Sequence, residues 1–156
     1  MIRILHIETA TKVCSVGISQ DGELIGIEEE SSSKYIHAER LTVLIEKIMN
    51  TSNFEFSDLS AIAVTSGPGS YTGLRIGVST AKGLCYATDL PLIAIDTLDG
   101  IIDQARINYP GKSICAMIDA RRMEVFSKIA DEKGNVIKPL SADELESTTY
   151  AEFKPF

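Results

Sequence analysis

Apolar positions near the N-terminus fall in short alternating runs rather than helical stripes. Ile2, Ile4, Leu5 and Ile7 form a first apolar strand, and Val13 to Ser19 alternates into a second. The polar Gln20-Asp21-Gly22 reads as a hairpin turn, and Glu23 to Glu29 returns as a third strand. The period changes after the serine run Ser31 to Ser33. From about Ile36 to Met49, Leu41, Leu44, Ile45 and Ile48 recur at helical spacing and predict a helix with one apolar face. Ala61 to Val64 predicts a buried strand, Thr72 to Ala87 a second helix and Pro91 to Ile95 another strand. A third helix, near Thr97 to Ile107, stops at the breaker Asn108-Tyr109-Pro110-Gly111. This order predicts an α/β domain with a mixed sheet, antiparallel at one edge and parallel where helices cross over.

The pattern then repeats loosely. ILHIETATKVCSVGISQDGELIG, from Ile4, is echoed by ICAMIDARRMEVFSKIADEKGNVIK, from Ile114. Each has an apolar strand ending in Ile-acid, Ile7-Glu8 and Ile118-Asp119, followed by a second strand and a turn glycine, Gly22 and Gly134. Such a repeat predicts a duplicated domain, although two β-hairpins also resemble each other by chance. The expected division is residues 1–110 as a first domain and 111–156 as the start of a second, incomplete one. The tail SADELESTTYAEFKPF reads as the possible start of a short acidic helix.

Composition narrows the function classes. A net charge of −7 argues against a protein that grips nucleic acid by itself, because affinity there comes mainly from neutralising phosphates. No apolar run approaches the roughly 18 residues of a membrane span, and MIRILHIET lacks the core of a signal peptide. Cys14, Cys85 and Cys115 are odd in number and widely spaced, which fits reduced thiols in a cytoplasmic protein.

The densest chemical signal is SGPGSYTGLRIGVSTAKGLC, Ser66 to Cys85, which holds Gly67, Gly69, Gly73, Gly77 and Gly83. The nucleotide P-loop needs G-x-x-x-x-G-K-[ST], yet Leu74-Arg75 stands where Lys-Ser/Thr belongs. The dinucleotide pattern G-x-G-x-x-G fails at Thr72, and the esterase elbow G-x-S-x-G fails at Ser70. A generic anion or nucleotide loop of Glu8, Gly67, Gly69 and Ser70 survives, because a helix N-terminus presents free N–H groups. The only histidines, His6 and His37, give no metal-ligand spacing, and His6 reads as a satisfied sheet residue. Gly73, Gly77 and Ala81 recur every four residues and line one helix face with almost no side chain. That face meets either its own sheet or another protein's helix. Arg75 in the first helical turn opposes the helix dipole and calls for an anionic partner, Glu8 or Asp96 within the chain or a group on a second molecule.

SGPGSYTGLRIGVSTAKGLC, ILHIETATKVCSVGI, HAERL (His37 to Leu41) and IDARRMEVF (Ile118 to Phe126) together resemble the TsaB family, the bacterial accessory subunits for making threonylcarbamoyladenosine in tRNA. The resemblance implies an actin-like (ASKHA, ribonuclease H-like) fold. It also implies a non-catalytic subunit in a heterodimer with the catalytic paralogue TsaD, which is joined by the small ATPase TsaE and modifies adenosine 37. ATP and metal are then expected on the partner subunits and no cofactor on this chain, with tRNA contacted only through the complex. Family members meet the paralogue through their first two helices. Carried over, these are the helix with His37, Glu39, Arg40, Leu41, Leu44, Ile45 and Ile48, and the helix with Thr72, Gly73, Arg75, Ile76, Gly77, Thr80, Ala81 and Leu84. Self-association as a homodimer is the expectation when the paralogue is absent. The competing readings are an independent nucleotide-binding ATPase and a glycoprotease-like peptidase. Two departures stand out: Glu8 replaces a frequent Asp, and the chain stops well short of two actin-like domains.

Overall fold

A computed structural model describes residues 1–31 and 37–153. Ser32 and Ser33 of the serine run and the expected helix start at Ile36 lie outside the described residues. The chain divides into two compact units, Met1–Ile95 and Asp96–Phe156.

The first unit opens with the antiparallel meander β1 (Arg3–Glu8), β2 (Val13–Gln20) and β3 (Glu23–Ser31). It continues through α1 (His37–Ser52), β4 (Ala61–Gly67) and α2 (Tyr71–Thr88) into β5 (Leu92–Asp96). The sheet order is β3-β2-β1-β4-β5, with β4 parallel to β1, so the mixed sheet has the expected polarity. Strand alternation sends Leu5, Ile7, Val16, Ile18, Ile62 and Val64 to one face. Leu41, Leu44, Ile45, Ile48 and Met49 of α1 recur at helical spacing and close over that face. Burying each such side chain contributes about 1.5–3 kcal/mol relative to exposure. At the edge strand, Glu30 takes a two-pronged hydrogen bond from Arg40 and Glu28 pairs with Lys47 at 2.6 Å, fixing β3 against α1.

The second unit holds α3 (Thr97–Asn108), β6 (Ile114–Arg121), β7 (Glu124–Ala130) and β8 (Val136–Glu144), with its sheet in the order β6-β7-β8. The antiparallel meander of the first unit is therefore repeated, as the sequence echo predicts. Two expectations change. The division falls between residues 95 and 96 rather than after 110, because Leu98 and Ile102 of α3 pack with Ala116 and Ala130. Ser141 to Glu144 is strand rather than the start of an acidic helix, because it pairs in register with β7, Asp143 opposite Val125.

That pairing feeds a polar cluster. Asp143 accepts hydrogen bonds from Lys138 at 2.7 Å, Tyr150 at 2.9 Å and the Ser127 and Ser141 hydroxyls, and Ser127 is fully buried. Burial alone would raise the Asp143 pKa, but the bonds from Lys138, Ser127, Ser141 and Tyr150 outweigh it and hold the carboxyl below the usual range. A depressed folded-state pKa contributes stability that is fully present above the unfolded value of about 3.9 and is lost as pH falls through the folded value. Asp143→Asn is therefore expected to be less stable than wild type at pH 7, with the gap narrowing from pH 4 towards pH 2. Urea unfolding followed by circular dichroism across that range measures it, and a gap independent of pH would rule out the charge as its source.

Candidate functional site

Four residues, Thr9 to Lys12, join β1 to β2. All the distinctive motifs of the first unit converge on this loop. A Cβ on Gly69 would lie 2.5 Å from the Ala10 carbonyl oxygen, and the Ser70 N–H donates to that oxygen at 2.7 Å. One turn into α2, a Cβ on Gly73 would overlap the Thr9 carbonyl oxygen, and one on Gly77 would overlap Thr9 Oγ1. His37, fully buried at the start of α1, reaches the same loop. Its Nε2–H donates to the Thr11 carbonyl at 2.8 Å, the proton placed there because a carbonyl only accepts.

This geometry corrects the expected docking stripe. Gly73 and Gly77 are buried against Thr9 of the chain's own loop and Ala81 is buried in its own core, so the stripe is already covered within the chain. Leu41, Leu44 and Ile48 are likewise core residues, each at most 2% exposed. Their periodicity marks a packed face and cannot say what packs on it. Ile76 joins the same cluster, and Arg40 is held by Glu30. Glu39, Thr72 and Arg75 face solvent.

The anion-loop residues are also engaged internally. Glu8 accepts the Ala10 N–H at 2.5 Å through one carboxylate oxygen and the Thr65 hydroxyl through the other. Ser70 caps α2 by accepting the Gly73 N–H at 3.2 Å, while Gly67, at φ 115, carries the turn into the loop. With Ser70 used as a cap and His37 Nε2–H committed to a carbonyl, the two do not form a nucleophile–base pair. Among the described residues of the first unit, the partner of Arg75 is Tyr71 and not Glu8: its guanidinium donates to Tyr71 OH at 3.3 Å and sits 5.2 Å from that ring's centre. Asp96 instead caps α3 through the Leu98 N–H at 2.8 Å. His6 is the satisfied sheet residue expected, bonded to Ser19 Oγ at 2.7 Å, and its burial lowers its pKa.

The open surface lies on the outer side of the helix pair. A groove of about 620 Å³ runs between α1 and α2. Thr42, Ile45, Glu46, Met49 and Asn50 come from α1, Phe54 to Ser57 from the following loop, and Thr80 and Leu84 from α2. The end of α1 builds its floor. Asn53 adopts a left-handed conformation at φ 55, its N–H bonds Asn50 O, and the Phe54 N–H reaches back to Met49 O at 3.0 Å. This is the hydrogen-bond pattern of a Schellman turn, which brings the residue after the turn beside the last helical turn, here Phe54 beside Met49. Of the interface residues expected from the sequence, Ile45, Thr80 and Leu84 line the groove. Met49, Phe54 and Phe56 also line it without having been singled out from the sequence, although the two phenylalanines in the otherwise polar TSNFEFSD are a readable signal.

A family model described as TsaD, tRNA N6-adenosine threonylcarbamoyltransferase, matches residues 19–152. The tRNA threonylcarbamoyladenosine biosynthesis protein TsaB of Escherichia coli K12 is 37% identical over 80% of this chain and 53% of its own length. The protein of that name from Haemophilus influenzae is 35% identical over 85% of this chain and 56% of its own. The chain belongs to the TsaD family, and within it to TsaB. Among solved structures, YeaZ from Pseudomonas aeruginosa superposes with a TM-score of 0.77 at 28% identity, covering 93% of this chain and 66% of that one. Family membership brings with it the actin-like fold, whose repeated meander the two units display. The chain spans little more than half the length of these curated relatives. Among the described residues, no helix is long and apolar enough to cross a membrane.

The glycines of α2 give a paired prediction. Gly73→Ala and Gly77→Ala place a methyl group on Thr9, and overpacking of this kind costs about 1–3 kcal/mol. Gly83→Ala, on the exposed face with nothing within 4 Å of the new methyl, is expected to stabilise by about 0.4–1 kcal/mol. Urea midpoints of the three variants should move in these opposite directions. Equal stabilisation by all three would refute the close approach to Thr9.

Proposed function

We propose that this chain is the non-catalytic partner of a TsaD-type paralogue and supports threonylcarbamoylation of tRNA adenosine 37 by docking on it. The observation that carries this reading is the groove between α1 and α2, with the half-buried Phe54, Phe56 and Leu84 as its apolar surface and the buried Ile45 and Met49 beneath them. Apolar grooves between two helices suit an amphipathic helix from a partner, which buries its face there. Membership of a family whose relatives are named for this tRNA modification supports the choice of partner. On this reading ATP and metal belong to the TsaD-type subunit and to a TsaE-type ATPase, and tRNA is met through the assembly. The same groove also supports self-association when the paralogue is absent.

The non-catalytic part rests on the loop chemistry. Both oxygens of Glu8 are bonded within the chain, Ser70 is a helix cap and His37 donates to a main-chain carbonyl. These are the groups on which an ATPase or peptidase would be built, and each has a structural task. Titration of the isolated chain with ATP and magnesium is expected to give no micromolar binding; binding at that level would favour the ATPase.

Docking is tested by placing a charge in the groove. Thr42→Arg and Thr80→Arg alter groove-lining positions outside the hydrophobic core. Each is expected to weaken binding to the TsaD-type paralogue of the same organism, measured by calorimetry, by about tenfold or more, equivalent to about 1.4 kcal/mol. Unchanged affinity in both variants would remove the groove as the docking site.

A further inference from the structure

We infer that His37 is a positioning residue for this docking face: its buried imidazole is the wedge that sets the separation of α1 and α2, and with it the width of the groove. The inference rests on the docking reading. It begins from the meeting of three separate sequence motifs on one side chain. His37 is the first residue of α1 and is completely buried. Its Nε2–H ties that helix to the β1–β2 loop through Thr11 O at 2.8 Å. On its other flank lies α2, so close that a Cβ on Gly73 would be 2.8 Å from His37 Cδ2 and 3.1 Å from Nε2. The ring therefore lies against the beginnings of the two helices, and together with the Thr9 carbonyl oxygen it leaves no room for a side chain at position 73.

Both groove walls grow from these two fixed points. Thr42 lies five residues beyond His37 along α1, roughly 7.5 Å at the helical rise, and Thr80 lies seven beyond Gly73 along α2, roughly 10 Å. Packed helices do not deform continuously, because their interiors are as dense as organic crystals. A change at the wedge is therefore carried along the helices to the groove. Thr9 holds α2 from the loop side at both points, its carbonyl oxygen against Gly73 and its Oγ1 against Gly77 one turn on, which leaves the ring of His37 as the contact between α2 and α1 at this end.

The test separates wedge, hydrogen bond and mere stability. His37→Gln keeps an N–H donor, His37→Phe keeps the ring volume without a donor, and His37→Ala removes both. Paralogue affinity by calorimetry and amide NMR shifts of Thr80 and Leu84 are measured on the whole chain, with folding checked by circular dichroism. His37→Ala is expected to bind about tenfold more weakly and to shift the groove amides. His37→Phe is expected to stay within about threefold of wild type, and His37→Gln to fall between the two. Should His37→Ala not fold, the Gln and Phe pair carries the test, and equal losses in both would overturn the inference. It is also overturned if His37→Ala folds with unchanged groove shifts and unchanged affinity. If the charged groove variants bind normally while the His37 variants still shift the groove amides, docking has failed and the wedge has not.

Discussion

The first unit depends on a single close approach, that of α2 to the four-residue loop between β1 and β2. Without side chains at Gly73 and Gly77, the helix main chain rests directly on Thr9. Each glycine in a helix interior costs about 1 kcal/mol relative to alanine, so α2 gives up intrinsic helix stability to reach this distance. The return is that α2 covers β1 and β4 closely enough for Ala81 to be fully buried in the core. The Ser70 cap, Gly69 against Ala10 and His37 on Thr11 all serve to hold the loop where the helix needs it.

That constraint separates the two faces of the helix pair. The inner face is filled by residues of the chain itself, and its packing leaves nothing for a partner. Further along the pair, beyond Gly73 and Gly77, the groove lined by Thr80 and Leu84 stays open. On the docking reading proposed above, a helix pair whose inner registration is already fixed leaves little ordering to be done on association.

Much of the fold is legible in the sequence because its signals are local. The change from period two to helical period at α1, the breaker after α3 and the turn at Gln20-Asp21-Gly22 each fix an element. The hairpin echo marks the repeated meander. Legibility stops where one pattern has two physical sources. A stripe of Gly73, Gly77 and Ala81 announces close approach, but the partner, Thr9, is over sixty residues away and carries no matching mark. The apolar stripe of α1 suggests an interface for the same reason, since periodicity reports burial and not the identity of the covering surface. Arg75 misleads differently: its place in the first turn calls for an acid, yet Tyr71 one turn earlier supplies both an oxygen and a π-face.

The two units also show what the repeated acid is for. Glu8 ends β1 and accepts the N–H of Ala10, two residues on; Asp119, near the end of β6, accepts the N–H of Arg121, again two residues on, at 2.8 Å. In both units the acid accepts a main-chain N–H two residues on, where the strand leaves its ladder. The connections beyond the acid differ. In the second unit only Arg122 and Met123 separate the strands, and with Arg121 they run through three left-handed residues in succession. The first unit inserts Thr9 to Lys12, long enough to offer carbonyls to both His37 and the glycine face of α2. The two hairpins thus share an acid at the same place, and the longer connection of the first unit is the one that reaches the helix pair.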